Sequence, residues 1–363
     1  MITGSHNPPD YNGFKMMLQN KGVYGETIQH LGKLAASDDF DRNPGGSVLF
    51  TDIKSAYLAR LLQDLEGTPN LTIGWDAGNG AAGEILQRLT AELPGQHHVL
   101  YADIDGNFPH HHPDPTVDEN LIDLKALVKA KNCDLGIAFD GDGDRIGVVD
   151  DAGNVLRCDI LMTLYAAEIL KAQPGAPIIG DVKCSSVMFD EIRKLGGEAV
   201  MWKTGHSLIK AKMAELKAPL AGELSGHIFF ADKYYGFDDA LYCAIRLINI
   251  VAREGKKLSS LTGHINNLHS TPETRFEVEE EGKFDLVPQI LAHLHPRAAA
   301  ENFVLDTIDG VRVTTADGWW LIRPSNTQSV LVARAESTTP EGLQRLTDMA
   351  KAEVKRIGYE LKF

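Results

Sequence analysis

Asp140-Gly141-Asp142-Gly143-Asp144-Arg145 separates two apolar runs, Leu135-Gly136-Ile137-Ala138-Phe139 and Ile146-Gly147-Val148-Val149. Short apolar runs on either side of a turn read as two buried strands. Alternating Asp with Gly lets three carboxylates converge from that turn, because glycine accepts the backbone angles it demands. Asp140, Asp142 and Asp144 are hard oxygen donors that suit Mg²⁺, one ion per chain, with positions left for water or phosphate. An EF-hand is excluded, since the sixth position is Arg145 rather than glycine and strands rather than helices flank the loop. A solvated acidic hairpin is the plain alternative.

Outward from this turn the chain alternates strand and helix. Before it come a strand at 71–75, a helix at 81–93, a strand at 98–101 and a helix at 118–131. After it come helices at 159–171, 186–195, 207–216 and 237–253, with strands at 177–180 and 198–202 and an apolar segment at 222–230. From residue 271 the pattern turns strand-rich, at 275–278, 311–314, 319–323 and 330–334, with helices at 284–294 and 340–357. The fold class is therefore α/β: similar mixed α/β domains followed by a C-terminal α+β domain. The first 57 residues hold a Gly/Pro/Asn loop, a strand candidate at 14–18 and a helix at 25–37, about half of a third such domain. Boundaries are expected at 1–57, 58–152, 153–266 and 267–363.

Composition narrows the function. A length of 363 residues allows about two to four domains. The net charge of −14 disfavours nonspecific attraction to nucleic acid or anionic lipid, so any anionic ligand needs a local basic site. Cys133, Cys158, Cys184 and Cys243 are scattered without a CxxC pair, which fits a reducing compartment, and no secretory or membrane-spanning pattern appears. A cytoplasmic protein is expected, with no nucleic-acid or membrane partner.

Further loops carry chemistry. Thr3-Gly4-Ser5-His6-Asn7-Pro8 presents a hydroxyl beside an imidazole. Ordinary turn chemistry would explain it, but a serine that carries a phosphoryl group needs a divalent cation, and the acidic turn offers one. Gly222-Glu223-Leu224-Ser225-Gly226-His227 groups a carboxylate, a hydroxyl and an imidazole, suited to vicinal sugar hydroxyls or to a helix cap. Arg323-Pro324-Ser325-Asn326-Thr327 offers a guanidinium fork, two hydroxyls and an amide to a phosphate dianion. Lys203-Thr204-Gly205-His206-Ser207 opens a helix, where anions are favoured, and Lys183 follows a strand as a phosphate or hydroxyl contact. His110-His111-His112 reads as a rigid loop rather than a metal site. Gly78-Asn79-Gly80-Ala81-Ala82-Gly83 is a literal GxGxxG with Asp103 downstream, so a dinucleotide-binding protein is the rival reading.

Taken in order, the serine, acidic, sugar and phosphate loops resemble those of the α-D-phosphohexomutases, most closely their bacterial phosphomannomutase/phosphoglucomutase branch. The resemblance spans essentially the whole chain. It also covers Asn12-Gly13-Phe14-Lys15, Asp105 to Pro109, Asp181 to Cys184 and Lys203 to Ser207. It implies four domains around one central cleft, three α/β and one α+β. It implies that Ser5 carries the phosphoryl group and that Asp140, Asp142 and Asp144 hold Mg²⁺ together with an oxygen on Ser5. Lys15, Arg145 and His206 then serve proton transfer and charge stabilisation. His6, Lys183, Thr204, Gly205, Glu223, Ser225 and His227 contact substrate, and Arg323, Ser325, Asn326 and Thr327 grip the nonreacting phosphate.

The implied activity is reversible interconversion of hexose 1-phosphate and 6-phosphate, mannose or glucose, with glucose or mannose 1,6-bisphosphate as intermediate and activator. A sugar-phosphate-binding protein without turnover is a third reading. Two departures from the family stand out. Gln328-Ser329 replaces an acidic or small residue and proline, a change expected to loosen the phosphate loop while sparing its donors. The opening strand and helices of domain one have no counterpart before Met1, so the expectation is an internal methionine, a truncated first domain with an exposed sheet edge, and impaired activity.

Overall fold

The computed structural model describes residues 1–363 apart from 20, 39, 266, 267 and 327. Two sheets repeat one design. In the first, the strand Thr72–Asp76 pairs in parallel with Gln96–Leu100 on one side and Leu135–Phe139 on the other. Leu135–Phe139 then turns back antiparallel into Ile146–Asp150, and Val155–Leu156 closes the edge. In the second sheet Pro177–Asp181 pairs in parallel with Glu198–Trp202 and Leu220–Gly222, and Leu220–Gly222 turns back into Ile228–Phe230. Both sheets thus share the order 2-1-3-4 with strands 3 and 4 antiparallel, and the first adds a fifth, antiparallel strand at its edge. The acidic turn and the Glu223–His227 turn occupy the same place in the two copies.

Every residue of Leu135–Phe139 and Ile146–Asp150 is buried, as continuous apolar runs between helical layers require. One apolar core runs through both α/β units, and the helix Ala240–Glu254 supplies much of it, including Leu241, Tyr242, Ile245 and Ile248. That helix starts at Asp239, whose carboxylate accepts the Tyr242 N–H at 3.0 Å and satisfies one of the free donors of the first turn. The phenols of Tyr57 and Tyr234 donate to the same carboxylate at 2.8 Å.

The C-terminal unit is an antiparallel sheet ordered His269–Ser270, Val330–Ser337, Gly318–Pro324, Val311–Thr315, Val304–Asp306, with Thr274–Glu277 also on Val330–Ser337. Helices Lys283–Leu294 and Pro340–Arg356 cover one face over a separate core that includes Trp320, Ile322, Leu346 and Val354. Thr339 caps the last helix by accepting from Gly342 N at 3.1 Å, with Pro340 in its first turn.

The N-terminal segment differs in detail from its sequence reading. The strand expected over 14–18 is divided: Gly13–Phe14 pairs with Ile2–Thr3, and Met17–Leu18 folds back on Lys21–Gly22. A helix not read from sequence, Lys54–Leu62, buries Leu58 and Leu61 in the shared core, and the expected boundary after residue 57 falls inside it. The helix Glu26–Ser37 buries no residue, and Met1, Ile2, Phe14, Met17, Leu18 and Phe50 stand exposed.

Candidate active site

Asp140 organises the acidic turn and is fully buried. Its Oδ1 accepts the N–H groups of Gly143, Asp144 and Arg145 at 3.0, 3.0 and 3.1 Å. Its Oδ2 accepts Arg145 Nε at 3.0 Å and the Ser5 hydroxyl at 3.0 Å. One carboxylate therefore folds the turn and holds the serine. Thr3 adds a second link, accepting Ser5 N at 2.8 Å and donating to Asp142 Oδ2 at 2.8 Å.

The serine loop lies flat on the turn. A Cβ at Gly141 would stand 2.2 Å from the Ser5 carbonyl oxygen, so only glycine permits this approach. Ser5 itself has φ 52°, which turns its side chain toward the carboxylates. His6 Nδ1 lies 3.1 Å from Ser5 Oγ, and the Arg145 guanidinium reaches the same ring nitrogen. Burial first, and then the Arg145 charge, lowers the His6 pKa to about 4. Arg145 also faces Asp114 at 3.4 Å.

Lys15 Nζ sits 2.5 Å from Asp144 and 3.4 Å from Asp142. Burial opposes its charge, but the two carboxylates outweigh that penalty and raise its pKa. The acidic group is fitted to a divalent cation on three counts. Ligand atoms of Asp140, Asp142 and Asp144 lie within 4.8 Å of one another. Asp142 Oδ1 and Asp144 Oδ1 are buried and have no hydrogen-bond partner among the described residues. Burial and the two neighbouring carboxylates push Asp140 up to about 6 against the pull of Arg145, an excess of negative charge that a hard cation would relieve.

The second turn meets the first edge to edge. Ile146 N donates to Gly226 O at 3.1 Å, and Arg145 pairs with His227 in an isolated antiparallel bridge. His227 Nδ1 lies 3.0 Å from Asp238 and 3.4 Å from Asp144. Burial disfavours the imidazolium, but Asp144, Asp238 and Glu223 overcome it and raise the pKa to about 9. Glu223, buried, accepts Gly205 N at 3.0 Å and the Ser225 hydroxyl at 3.3 Å. His206 opens the helix His206–Leu216; burial and then Lys210 lower its pKa to about 4, and its Nδ1 is buried with no hydrogen-bond partner among the described residues.

Asp309 carries the path onward. Its Oδ2 accepts Thr204 N at 3.0 Å and Arg323 Nε at 2.8 Å, joining the helix-opening loop to the phosphate loop. Ser325 Oγ accepts Gln328 N at 3.2 Å, and Asn326 is exposed. Thr327 lies outside the described residues. Past it, Lys283 donates to Gln328 O at 2.8 Å, and Ser329 donates to Glu280 at 2.8 Å. An unbroken series of contacts therefore runs Ser5, Asp140 and Asp144, His227, Glu223, Gly205, Thr204, Asp309, Arg323.

Lys183 is buried, 2.9 Å from Glu273 and 3.6 Å from Asp181. Burial alone would raise Glu273, but Lys183 and Arg275 hold it at about 2. A depressed carboxyl contributes stability that is complete above its unfolded value, about 4.5, and is lost as pH falls toward 2. Glu273→Gln is thus expected to cost on the order of 3 kcal/mol at pH 7. Denaturant melts of both proteins should show that gap shrinking by more than half between pH 5 and pH 3.

Sequence reading missed Asp114, Asp238, Glu273 and Asp309 and gave no role to Thr3 and Asp181, although both lie in quoted motifs; all six hold the chosen residues in place. Position in the sequence was a usable signal for two of them: Asp238 stands just before a helix, and Asp309-Gly310 forms a turn beside a strand. The glycine run that suggested a dinucleotide has another use. Ala81 N donates to Gly141 O at 2.8 Å, and a Cβ at Gly80 would meet that same oxygen at 2.7 Å, so the acidic turn fills the place. The three histidines do not converge: His111 bonds Asp76 at 2.9 Å and His110 bonds Asn79 at 2.7 Å. Among the described residues no helix is long and apolar enough to cross a membrane.

Comparison with known proteins agrees with this architecture. Profiles described as phosphoglucomutase/phosphomannomutase alpha/beta/alpha domains I, II and III match residues 1–41, 55–153 and 157–268, and that of the C-terminal domain matches 273–353. The chain is 43% identical over 362 residues to the phosphomannomutase/phosphoglucomutase of Pseudomonas putida, covering 100% of itself and 77% of that protein. It is 41% identical to the phosphoglucomutase of Neisseria gonorrhoeae, covering 98% of itself and 77% of that protein. A crystal structure of a phosphoglucomutase/phosphomannomutase family protein from Burkholderia thailandensis superposes with a TM-score of 0.90 at 44% identity, covering 100% of this chain and 77% of the other. With four domain profiles in chain order and this identity along its whole length, the chain belongs to the phosphoglucomutase/phosphomannomutase family.

Proposed function

We propose that the protein interconverts hexose 1-phosphates and hexose 6-phosphates, of glucose and of mannose, through a phosphoserine at residue 5 and a hexose 1,6-bisphosphate. The supporting observation is the contact series from Ser5 to Arg323, with a hydroxyl poised on carboxylates at one end and a guanidinium at the other. Moving a phosphoryl group between the two ends of one sugar needs both a fixed donor and a fixed grip. Names of close relatives carry both sugars or glucose alone.

In the forward step the bond from phosphorus to Ser5 Oγ breaks as the sugar hydroxyl oxygen forms a new one, and the proton that the sugar hydroxyl loses is matched by one taken up at Ser5 Oγ, which restores the serine hydroxyl. The bisphosphate turns over, its other phosphate returns to Ser5, and the protein ends unchanged. Arg323 and Ser325 hold whichever phosphate is not reacting, while Glu223, Ser225 and His227 meet the sugar hydroxyls common to both orientations. Lys15 and Arg145 stand as positive charge beside the serine, and His6 lies within reach of its hydroxyl proton. A divalent cation held by Asp140, Asp142 and Asp144 would neutralise charge developing on the transferring oxygens.

The test is conversion of glucose 1-phosphate with catalytic glucose 1,6-bisphosphate and Mg²⁺. Saturable turnover is expected, falling at least about hundredfold on chelation and returning with Mg²⁺. Ligand binding with background turnover would favour a sugar-phosphate-binding protein; neither binding nor turnover would overturn the proposal.

A further inference from the structure

Three carbonyl groups in a row, those of Val182, Lys183 and Cys184, are gripped by guanidinium groups from the C-terminal sheet. Arg312 Nη1 donates to Val182 O at 2.6 Å and to Cys184 O at 2.9 Å. Arg334 Nη1 donates to the carbonyl between them, that of Lys183. Both arginines are almost wholly buried, and both flank one indole: Arg312 lies 3.7 Å and Arg334 5.3 Å from the Trp319 ring. Glu336 completes the group, accepting Trp319 Nε1 at 3.0 Å and the Ser185 hydroxyl at 2.7 Å and facing Arg334 at 3.3 Å.

The sheet register ties this clamp to the phosphate loop. Leu321 is paired with Arg312 on one side and with Arg334 on the other. Trp319, Leu321 and Arg323 alternate along one strand and so share a face. Arg323 therefore stands one side-chain step beyond the row that holds the Lys183 segment. The apolar contact accompanying the clamp is small: Val182, Trp319 and Leu321, with Met201 beside them. The two α/β units share one core and the C-terminal unit has another, so hydrogen bonds rather than a common core fix the separation here.

We propose that Arg312 and Arg334, either side of Trp319, are positioning residues that set the spacing between Lys183 and the Arg323 phosphate grip, and with it the length of ligand the site accepts. The inference rests on the mutase reading above. Each guanidinium joins its carbonyl bonds to a flat face against the Trp319 ring, and a lysine, with a compact ammonium on a shorter reach, cannot keep both. With that grip lost, Arg323 loses its fixed distance from the Lys183 segment and so from Ser5, while Ser5 and the acidic turn keep theirs. The bisphosphate, bound at both ends, then escapes more often before returning its phosphate.

Arg312→Lys and Arg334→Lys are to be assayed beside the unaltered protein, with folding followed by thermal melts. Expected is a KM for glucose 1-phosphate raised about tenfold with kcat down less than about threefold, and a similar rise in the glucose 1,6-bisphosphate needed for half-maximal rate. Arg246→Lys, at a buried ion pair with Glu168 and Asp232 away from the site, is the comparison: it should lower the melting temperature and leave KM alone. Folded variants with unchanged KM, or a loss confined to kcat, would overturn the proposal. If neither lysine variant folds, Trp319→Phe keeps the packing, removes the Glu336 hydrogen bond, and carries the same expectation at smaller size. Failure of the unaltered protein to turn over would refute the mutase reading instead.

Discussion

Ser5→Ala is expected to lower mutase turnover by at least about ten-thousandfold, because the variant has no oxygen to carry the phosphoryl group between sugar ends. The hydroxyl is held by Asp140 at 3.0 Å and approached by His6 at 3.1 Å, and each of these groups keeps other partners when it is removed. The fold should therefore survive. At φ 52° alanine carries the same penalty of about 1 kcal/mol that serine already bears and glycine does not. Ser5→Gly removes the hydroxyl without that strain and should be equally inactive. Intact-mass measurement on protein incubated with glucose 1,6-bisphosphate should show one added phosphoryl group on the unaltered chain and none on either variant. Full turnover by Ser5→Gly would refute the phosphoserine.

Gly141→Ala should have the next largest effect without touching a reactive group. Its methyl would fall 2.2 Å from Ser5 O and 2.8 Å from Ser5 C, both backbone atoms, so no rotamer change relieves it. The serine loop must lift from the acidic turn. Displacing a nucleophile by about an ångström costs on the order of a hundredfold in rate, and kcat is expected to fall at least that much. The stability loss should stay near about 1–3 kcal/mol, since the loop that moves lies near the surface. Single-turnover transfer from glucose 1,6-bisphosphate to Ser5 measures the step directly. A rate within about twofold of normal would show that the two turns do not need this contact.

Chemistry concentrated in a few consecutive residues was legible from the sequence. Asp140 to Arg145, Thr3 to Pro8, Glu223 to His227 and Arg323 to Asn326 each bring their donors together by local turn geometry, which needs no knowledge of distant chain. Long apolar runs such as Leu135–Phe139 were equally clear, because burial on both faces leaves an unbroken pattern. Lys54–Leu62 was not: nine residues with two buried leucines give too little periodicity, and packing on the helix Ala240–Glu254 supplies the rest. The Gly78 to Gly83 run raised its rival reading for a related reason. Its spacing matches a phosphate-binding turn, but what lies against it is Gly141, 61 positions along the chain.

From the amino-acid order alone came the alternation of strand and helix, the change to an antiparallel C-terminal sheet and the residue types of four reactive loops. All of these depend on neighbours a few positions apart, where backbone geometry dictates the outcome. Tertiary structure alone decided which carboxylate stands beside which cation: Asp238 with His227, Asp309 with Arg323, Glu273 with Lys183, and the carbonyls of 182–184 with Arg312 and Arg334. Among many acidic residues, a half-buried place beside one of these cations picks out Asp238, Glu273 and Asp309. Burial depends on sheet order and on how the shared α/β core meets the C-terminal one, and those are properties of the folded chain rather than of any short stretch of it.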